Sequence, residues 1–274
     1  MTNKEKLKVL YKLARKIIKK PSSIFLILKD ETEFEQYLKK KYGKTQFATT
    51  DLTQFLNQNK AVVDNYTFLD GSSLITDLAL LRSLASSFES CEYLEIGTWR
   101  GESLLNVAAV ANQCTSINLS PDDIIAMGLP EKYARLHGCL LKDQTNIKTI
   151  HANSRMFNFN SLNQKYDLIF IDGDHSYEGV KSDTEKVFSL LKDENSIIVW
   201  HDYGYNPEHP RHSVIAAIWD GLPVEEHKYL YHVSNTMCAI YTKKKLNAEL
   251  INFPVSPDKT FEINIVVSPF DPQS

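Results

Sequence analysis

Between residues 93 and 242, short apolar runs alternate with stretches in which apolar positions recur every three or four residues. The first pattern predicts strands and the second helices. Strands are expected at 93–96, 115–119, 148–151, 166–171 and 196–200. The last two are continuous enough in apolar residues to be strands covered on both faces. Helices are expected at 74–84, from 102 to about 113, at 177–191 with Val180, Thr184, Val187, Phe188 and Leu191 inward, and at 213–221. Such alternation predicts an α/β protein with a doubly wound parallel sheet. Residues 229–233 and 237–242 flank Ser234-Asn235-Thr236 and predict a terminal antiparallel hairpin.

The ends of the chain follow other rules. Over residues 1–20, Leu7, Leu10, Tyr11, Leu13, Ala14, Ile17 and Ile18 recur at helical spacing among many Lys and Arg side chains. This predicts a basic amphipathic helix that docks on the domain with a solvated basic face, or touches an anionic membrane or an acidic partner. Pro21, Ser22 and Ser23 break it, and a second helix is expected over 24–42 with Phe25, Leu26, Leu28, Phe34 and Leu38 apolar. Residues 46–70 have no period. The expected organisation is therefore a helical N-terminal extension (1–70), the sheet domain (71–245) and a C-terminal tail (246–274) whose residues 261–267 form an edge strand or a partner-binding segment. The connection 120–145 is longer than a crossover helix requires, so part of it is expected to act as a lid.

Composition narrows the class. Apolar residues make up 43% and charged ones 24% of 274 residues, ordinary for a globular chain, and a net charge of −3 gives no overall case for nucleic acid. Cys91, Cys114, Cys139 and Cys238 lack C-x-x-C spacing, which points to a reducing, cytoplasmic setting. No apolar run is long enough to span a bilayer, and residues at the start lack a signal-peptide pattern.

Candidate chemistry clusters at the strand ends, where open α/β sheets bind ligands. After the first strand comes Glu95-Ile96-Gly97-Thr98-Trp99-Arg100-Gly101-Glu102-Ser103. The glycines permit positive φ and close approach, and the following helix aims its amides at the loop. The spacing is neither G-x-G-x-x-G nor a P-loop. An acid in the strand end suits a cationic ligand portion. This E-x-G-x-x-x-G pattern resembles motif I of the class I S-adenosylmethionine (SAM) methyltransferases, whose Rossmann-like fold ends in an antiparallel hairpin. The resemblance implies that Glu95, Gly97, Thr98, Trp99, Gly101 and Ser103 form the cofactor cradle. It also places Asn118 where the family has a ribose-binding acid, with Asp122 and Asp123 as substitutes, and Asn153 and Ser154 beside the adenine. Phe157 is expected either to cover that ring or to belong to the core.

After the fourth strand stands Asp172-Gly173-Asp174-His175, and after the fifth His201-Asp202-Tyr203. So many ionisable groups in one crevice are costly unless a cation or substrate compensates them. The pair of motifs resembles the metal-dependent O-methyltransferases of the catechol and macrocin types, the D-G-D…D-Y form being nearer; Tyr203 departs from the Asn of the catechol type. The resemblance implies Asp172, His201 and Asp202 as ligands of Mg²⁺ or another divalent cation, with Asp172 also counted at the cofactor, and Asp174 or His175 as catalytic base. Without a metal, His175 and Asp202 are expected to work as a pair. The expected activity is SAM-dependent methylation of a hydroxyl on a small, saccharide-like molecule, with Trp99, Tyr177 and Tyr203 as faces for a sugar ring. Two alternatives stay open: a non-catalytic SAM-binding accessory protein, and N-methylation of protein or nucleic acid. Oligomerisation is open as well.

Overall fold

The computed structural model describes residues 2–19, 31–142 and 144–270. Among them runs a nine-stranded sheet. Its parallel half consists of β2 (Glu92–Ile96), β3 (Gln113–Asn118), β4 (Ile147–His151), β5 (Leu168–Ile171) and β6 (Ile197–Trp200), in the order β4-β3-β2-β5-β6. The order reverses between β2 and β5, and a ligand crevice opens at such a switch point. Beyond β6 lies the expected hairpin, β9 (Leu230–Val233) and β10 (Ala239–Tyr241), with β10 antiparallel to β6. Residues 204–210 form a small separate hairpin of β7 (Gly204–Asn206) and β8 (His209–Pro210).

Alternation along the strands divides the core in two. Leu94, Ile96, Ile169, Ile171, Ile198 and Trp200 meet α7 (Tyr177–Phe188) and α8 (His212–Gly221) on one face. Tyr93, Leu168, Phe170, Ile197 and Val199 meet α3 (Ile75–Ser86) and α4 (Glu102–Ala108) on the other. Period-two side-chain placement makes both faces apolar, which is why β5 and β6 read as unbroken apolar runs. The helix after β2 is shorter than expected. It stops at Ala108 because Asn112 and Gln113 already bond the Cys91 carbonyl at the start of β3.

The division at residue 70 does not survive in the packing. Strand β1 (Ala48–Thr50) lies parallel to β9 and antiparallel to β11 (Ala248–Glu249), so both end segments complete the sheet. Leu38 of α2 (Glu31–Tyr42), Phe47 and Leu52 are core residues. The side chain of Asp220 on α8 accepts hydrogen bonds from Tyr37, Tyr42, Tyr177 and Lys41, fixing α2 to the domain. The expected break at 21–23 and the side chains of Phe25, Leu26 and Leu28 lie outside the described residues. The edge strand of the tail is β11, not 261–267; that stretch is exposed and carries no strand, while Lys259 pairs with Asp51 at 2.8 Å. The basic helix is present as α1 (Asn3–Lys19). No described helix is long and apolar enough to cross a membrane.

Candidate active site

Register sets the site. Ile96 pairs with Ile117 and Ile171, and Ile171 with Trp200, so the four central strands end level with one another. Gly97, Asn118, Asp172 and His201 therefore follow at one rim. Backbone bonds extend the ladder one step further, Asp172 N to the Ile96 carbonyl at 2.8 Å and His201 N to the Ile171 carbonyl at 3.0 Å.

The glycine loop turns through Gly97 (φ +85°), Trp99 (φ +38°) and Gly101 (φ +100°). A Cβ on Gly97 would lie 2.6 Å from the carbonyl carbon of Asp172, and one on Gly101 would lie 2.6 Å from a methyl carbon of Leu141. The glycines thus let the β5 turn and the 138–141 segment close on the loop, where direct room for a ligand was expected. Glu95 shares the face of Tyr93, two residues earlier, and is fully buried beneath α4. It accepts hydrogen bonds from the Tyr93 hydroxyl (2.7 Å) and the Ser103 hydroxyl (3.1 Å). Burial pushes its carboxyl up to about 8, against the bonds from Tyr93 and Ser103. Glu95 and Ser103 therefore support the loop from below. Thr98 is bonded to Ser116, and the Trp99 ring packs against Tyr133 and His137 with the Arg100 guanidinium over it.

The expected lid holds two short helices, α5 (Pro121–Ala126) and α6 (Glu131–Ala134), and is clamped to the glycine loop. Gly138 N donates to the Trp99 carbonyl and Leu140 N to the Arg100 carbonyl. Between them lies an open cleft of about 320 Å³ lined by Thr98, Asn118, His137, Leu141, Thr149 and His151. The Asn118 amide donates to Nδ1 of His137 (3.3 Å), which leaves the Asn118 oxygen free to accept from a ligand. Burial lowers the His137 pKa, so the ring is neutral with its proton on Nε2, a buried donor with no partner among the described residues. Asp122 and Asp123 belong to the first turn of α5, where Asp123 caps with Ser120. Asn153 accepts from Arg155 N and Ser154 donates to Asp183, and neither lines this cleft. Phe157 packs on Phe159 in the core.

The charged cluster separates into two layers. His201 is buried, its Nδ1 at 3.0 Å from Asp172 and its Nε2 at 3.2 Å from Asp77 of α3. Burial opposes charge on the ring, but the charges and hydrogen bonds of Asp172, Asp202 and Asp77 outweigh it and keep His201 protonated. His201 thus lies between two carboxylates, and the ligand atoms that cluster within reach of one another are those of Asp172, His175 and Asp202, with His175 where sequence had His201. Above it, His175 Nδ1 lies 2.8 Å from Oδ2 of Asp202, with the imidazole 44% exposed. Asp202 has φ +56°, a left-handed backbone that turns its carboxylate back toward His175. Burial works against ionisation of Asp202, yet bonds from His175 and His201 hold its pKa well below the carboxylate range. The His175 ring gains a raised pKa: burial lowers it, while the Asp202 bond and the charges of Asp172 and Asp202 prevail.

Ligand atoms of Asp172, His175 and Asp202 lie within 4.8 Å of one another. Two carboxylates and one imidazole fit a divalent cation, and the mixed set suits Mn²⁺ or Zn²⁺ better than Mg²⁺. Asp174 has a different task. It accepts from Ser176 N and Oγ, both at 2.9 Å, and so holds the turn before α7. The expected aromatic platform is also occupied otherwise. Tyr203 is buried and stacked on His232, and Tyr177 donates to Asp220.

Two residues were missed by sequence. Asp77 anchors His201 and also accepts from Leu74 N and Met237 N; an acid inside the apolar stripe 74–84 was its signal. Arg211 comes within 3.8 Å of Asp202, bonds the His175 carbonyl and lies over the exposed Tyr205 ring. Nothing in its sequence neighbourhood marks it, because the β7–β8 hairpin brings it there.

A sheet reversing at β2/β5, with a glycine loop at that point and an antiparallel closing hairpin, is the Rossmann-like methyltransferase fold. Residues 94–203, from β2 to the turn after β6, match a family model described as a methyltransferase domain. Among solved structures the chain is similar to CalS11, a TDP-rhamnose 3'-O-methyltransferase of calicheamicin biosynthesis (16% identity, 62% of this chain and 80% of that one, TM-score 0.44). It is also similar to the O-methyltransferase TomG from Streptomyces achromogenes in complex with SAM (14%, 63% and 82%, TM-score 0.44). No curated protein matches the sequence.

Proposed function

We propose that the chain is a SAM-dependent methyltransferase that methylates a hydroxyl of a small polar acceptor, saccharide-like in its chemistry, with His175 as the base. The observation that carries the reading is the half-exposed His175 held by Asp202 at 2.8 Å on the same rim as the glycine loop. SAM would lie in the cleft beside β3, where the Asn118 oxygen accepts from a ribose hydroxyl in place of the missing acid and His137 Nε2 donates to a ligand oxygen. When bound there, SAM would supply an activated methyl group to the acceptor oxygen, with its sulfur as the leaving group. The hydroxyl proton passes to Nε2 of His175, whose Nδ1 donates to Asp202. Asp77 and His201 fix Asp172 and Asp202 from below, and Arg211 with Tyr205 offers a cation and an aromatic face to the acceptor.

The clustering of three ligand atoms favours a second reading. Asp172, His175 and Asp202 would then hold a divalent cation, which when bound would orient the acceptor and lower its hydroxyl pKa. Metal titration followed by unfolding calorimetry separates the two: a Mn²⁺-dependent rise in Tm lost in Asp202→Ala supports the cation, and an unchanged Tm leaves the His175–Asp202 pair.

Labelled SAM offered with sugars, nucleotide sugars, catechols, peptides and nucleic acids tests the acceptor. Label on a hydroxylated small molecule is expected. Label only on peptide or nucleic acid overturns the acceptor class. SAM binding with no transfer to any class favours the accessory-protein alternative.

A further inference from the structure

We infer that α1 is an interfacial helix that seats the protein on an anionic lipid bilayer. Its 17 residues carry seven Lys or Arg (Lys4, Lys6, Lys8, Lys12, Arg15, Lys16 and Lys19) against one acid, Glu5, in a chain whose total is −3. At 100° per residue, Leu13, Ile17, Leu10, Ala14, Leu7, Ile18 and Tyr11 fall within one arc of about 160°, which Lys6 enters between Leu13 and Ile17 and Asn3 between Leu10 and Ala14. Lys4, Arg15, Lys8, Lys19 and Lys12 follow directly on the next arc. Most of the apolar arc is uncovered: Leu7 is 72%, Leu10 60%, Tyr11 69% and Ile18 80% exposed, while Ile17 is half-buried.

A docking helix of the domain would bury these side chains, and α1 does not. α2 shows the contrast, for its Leu38 is fully buried. A helix with an apolar arc flanked by lysines and of low overall hydrophobicity lies in the plane of a membrane interface, its apolar side among the acyl chains and its ammonium groups at the phosphates. Lys and Arg stems extend along the apolar boundary and place their charges at headgroup level. Charge chooses the surface. Six net positive charges on one short helix are drawn to acidic headgroups, each Lys or Arg strengthening binding about five-fold. A neutral bilayer would offer only the apolar arc. An acidic protein groove would need to match the whole arc in shape, which a fluid interface does not.

The test is flotation of the full chain with vesicles of phosphatidylcholine alone or with about one third phosphatidylglycerol, at low and at high salt. Expected is co-flotation with the anionic vesicles, reduced at least ten-fold in 0.5 M salt and on neutral vesicles. Lys8→Glu with Lys12→Glu should lower anionic binding by more than ten-fold, and Leu10→Asp with Ile18→Asp should remove it. The Tm of both variants should match wild type, because the domain does not cover these side chains. Equal binding to both vesicle types, no flotation, or unchanged binding by the variants overturns the proposal. So does concentration-dependent self-association lost in Leu10→Asp, which would make a second copy the occupant.

Discussion

Nδ1 of His175 and Oδ2 of Asp202 lie 2.8 Å apart, with Asp202 held in a left-handed backbone conformation. This arrangement fixes the tautomer that leaves Nε2 free to accept a proton. His175→Ala should lower turnover by about 10² to 10⁴ with SAM affinity near wild type, as removal of a general base does. Asp174→Asn should keep turnover within a few-fold and lower only thermal stability, since Asp174 bonds Ser176 at the start of α7. Single-turnover methyl transfer and titration calorimetry on both variants check this. Full activity in His175→Ala would remove it as base.

The pH profile of the same reaction follows from charge. The raised pKa of His175 keeps its ring protonated to higher pH than an ordinary imidazole, so kcat/KM should climb through a midpoint above about 6.5. Asp202→Asn removes the bond and one charge that raise it, and the midpoint should move down while the plateau falls.

Glycine substitutions should separate the two turns of the loop. At Gly97 a Cβ meets the Asp172–Gly173 backbone, which cannot move without parting β2 from β5. At Gly101 it meets only the Leu141 side chain. Gly97→Ala should cost about 3 kcal/mol or more and Gly101→Ala about 1–2 kcal/mol, because both also lose a favourable positive φ. Denaturant midpoints measure the difference, and equal costs would contradict it.

Glu95 should leave a signature in stability against pH. Its folded pKa of about 8 lies above the ordinary carboxyl value of about 4.5, so the folded state binds the proton more tightly. The stabilisation is complete below about 4.5 and is lost as pH rises to about 8. Glu95→Gln should remove this slope and gain on wild type by at most a few kcal/mol at pH 8. Tm measured for both proteins from pH 5 to 8.5 gives the difference; parallel curves would show an unshifted carboxyl.

Much of this was legible in sequence. The unbroken apolar runs of β5 and β6 disclosed strands covered on both faces, and Ser234-Asn235-Thr236 disclosed the hairpin. Local pattern could not disclose partners far along the chain. Asp77 and His201 are 124 residues apart, and only the packing of α3 beneath β6 joins them. Motif spacing likewise identifies residues near a strand end but not their direction. Glu95 and His201 both point inward, Asp174 bonds its own turn, and Asp172, His175 and Asp202 cluster at the rim. The sheet role of residues 48–50 was hidden because three residues are too few for a period.

Strand β1 lies between β9 and β11, so residues 48–50 find their partners at 230–233 and 248–249. During synthesis the earliest of these strands must wait for the last two. The parallel half of the sheet can assemble while Ala48, Thr49 and Thr50 are still unpaired, and contacts spanning so much chain form late because loop closure precedes their reward. Completion of the sheet edge is therefore a checkpoint on a finished polypeptide: a ribosome that stalls before residue 230 releases a chain whose N-terminal strand has nowhere to go.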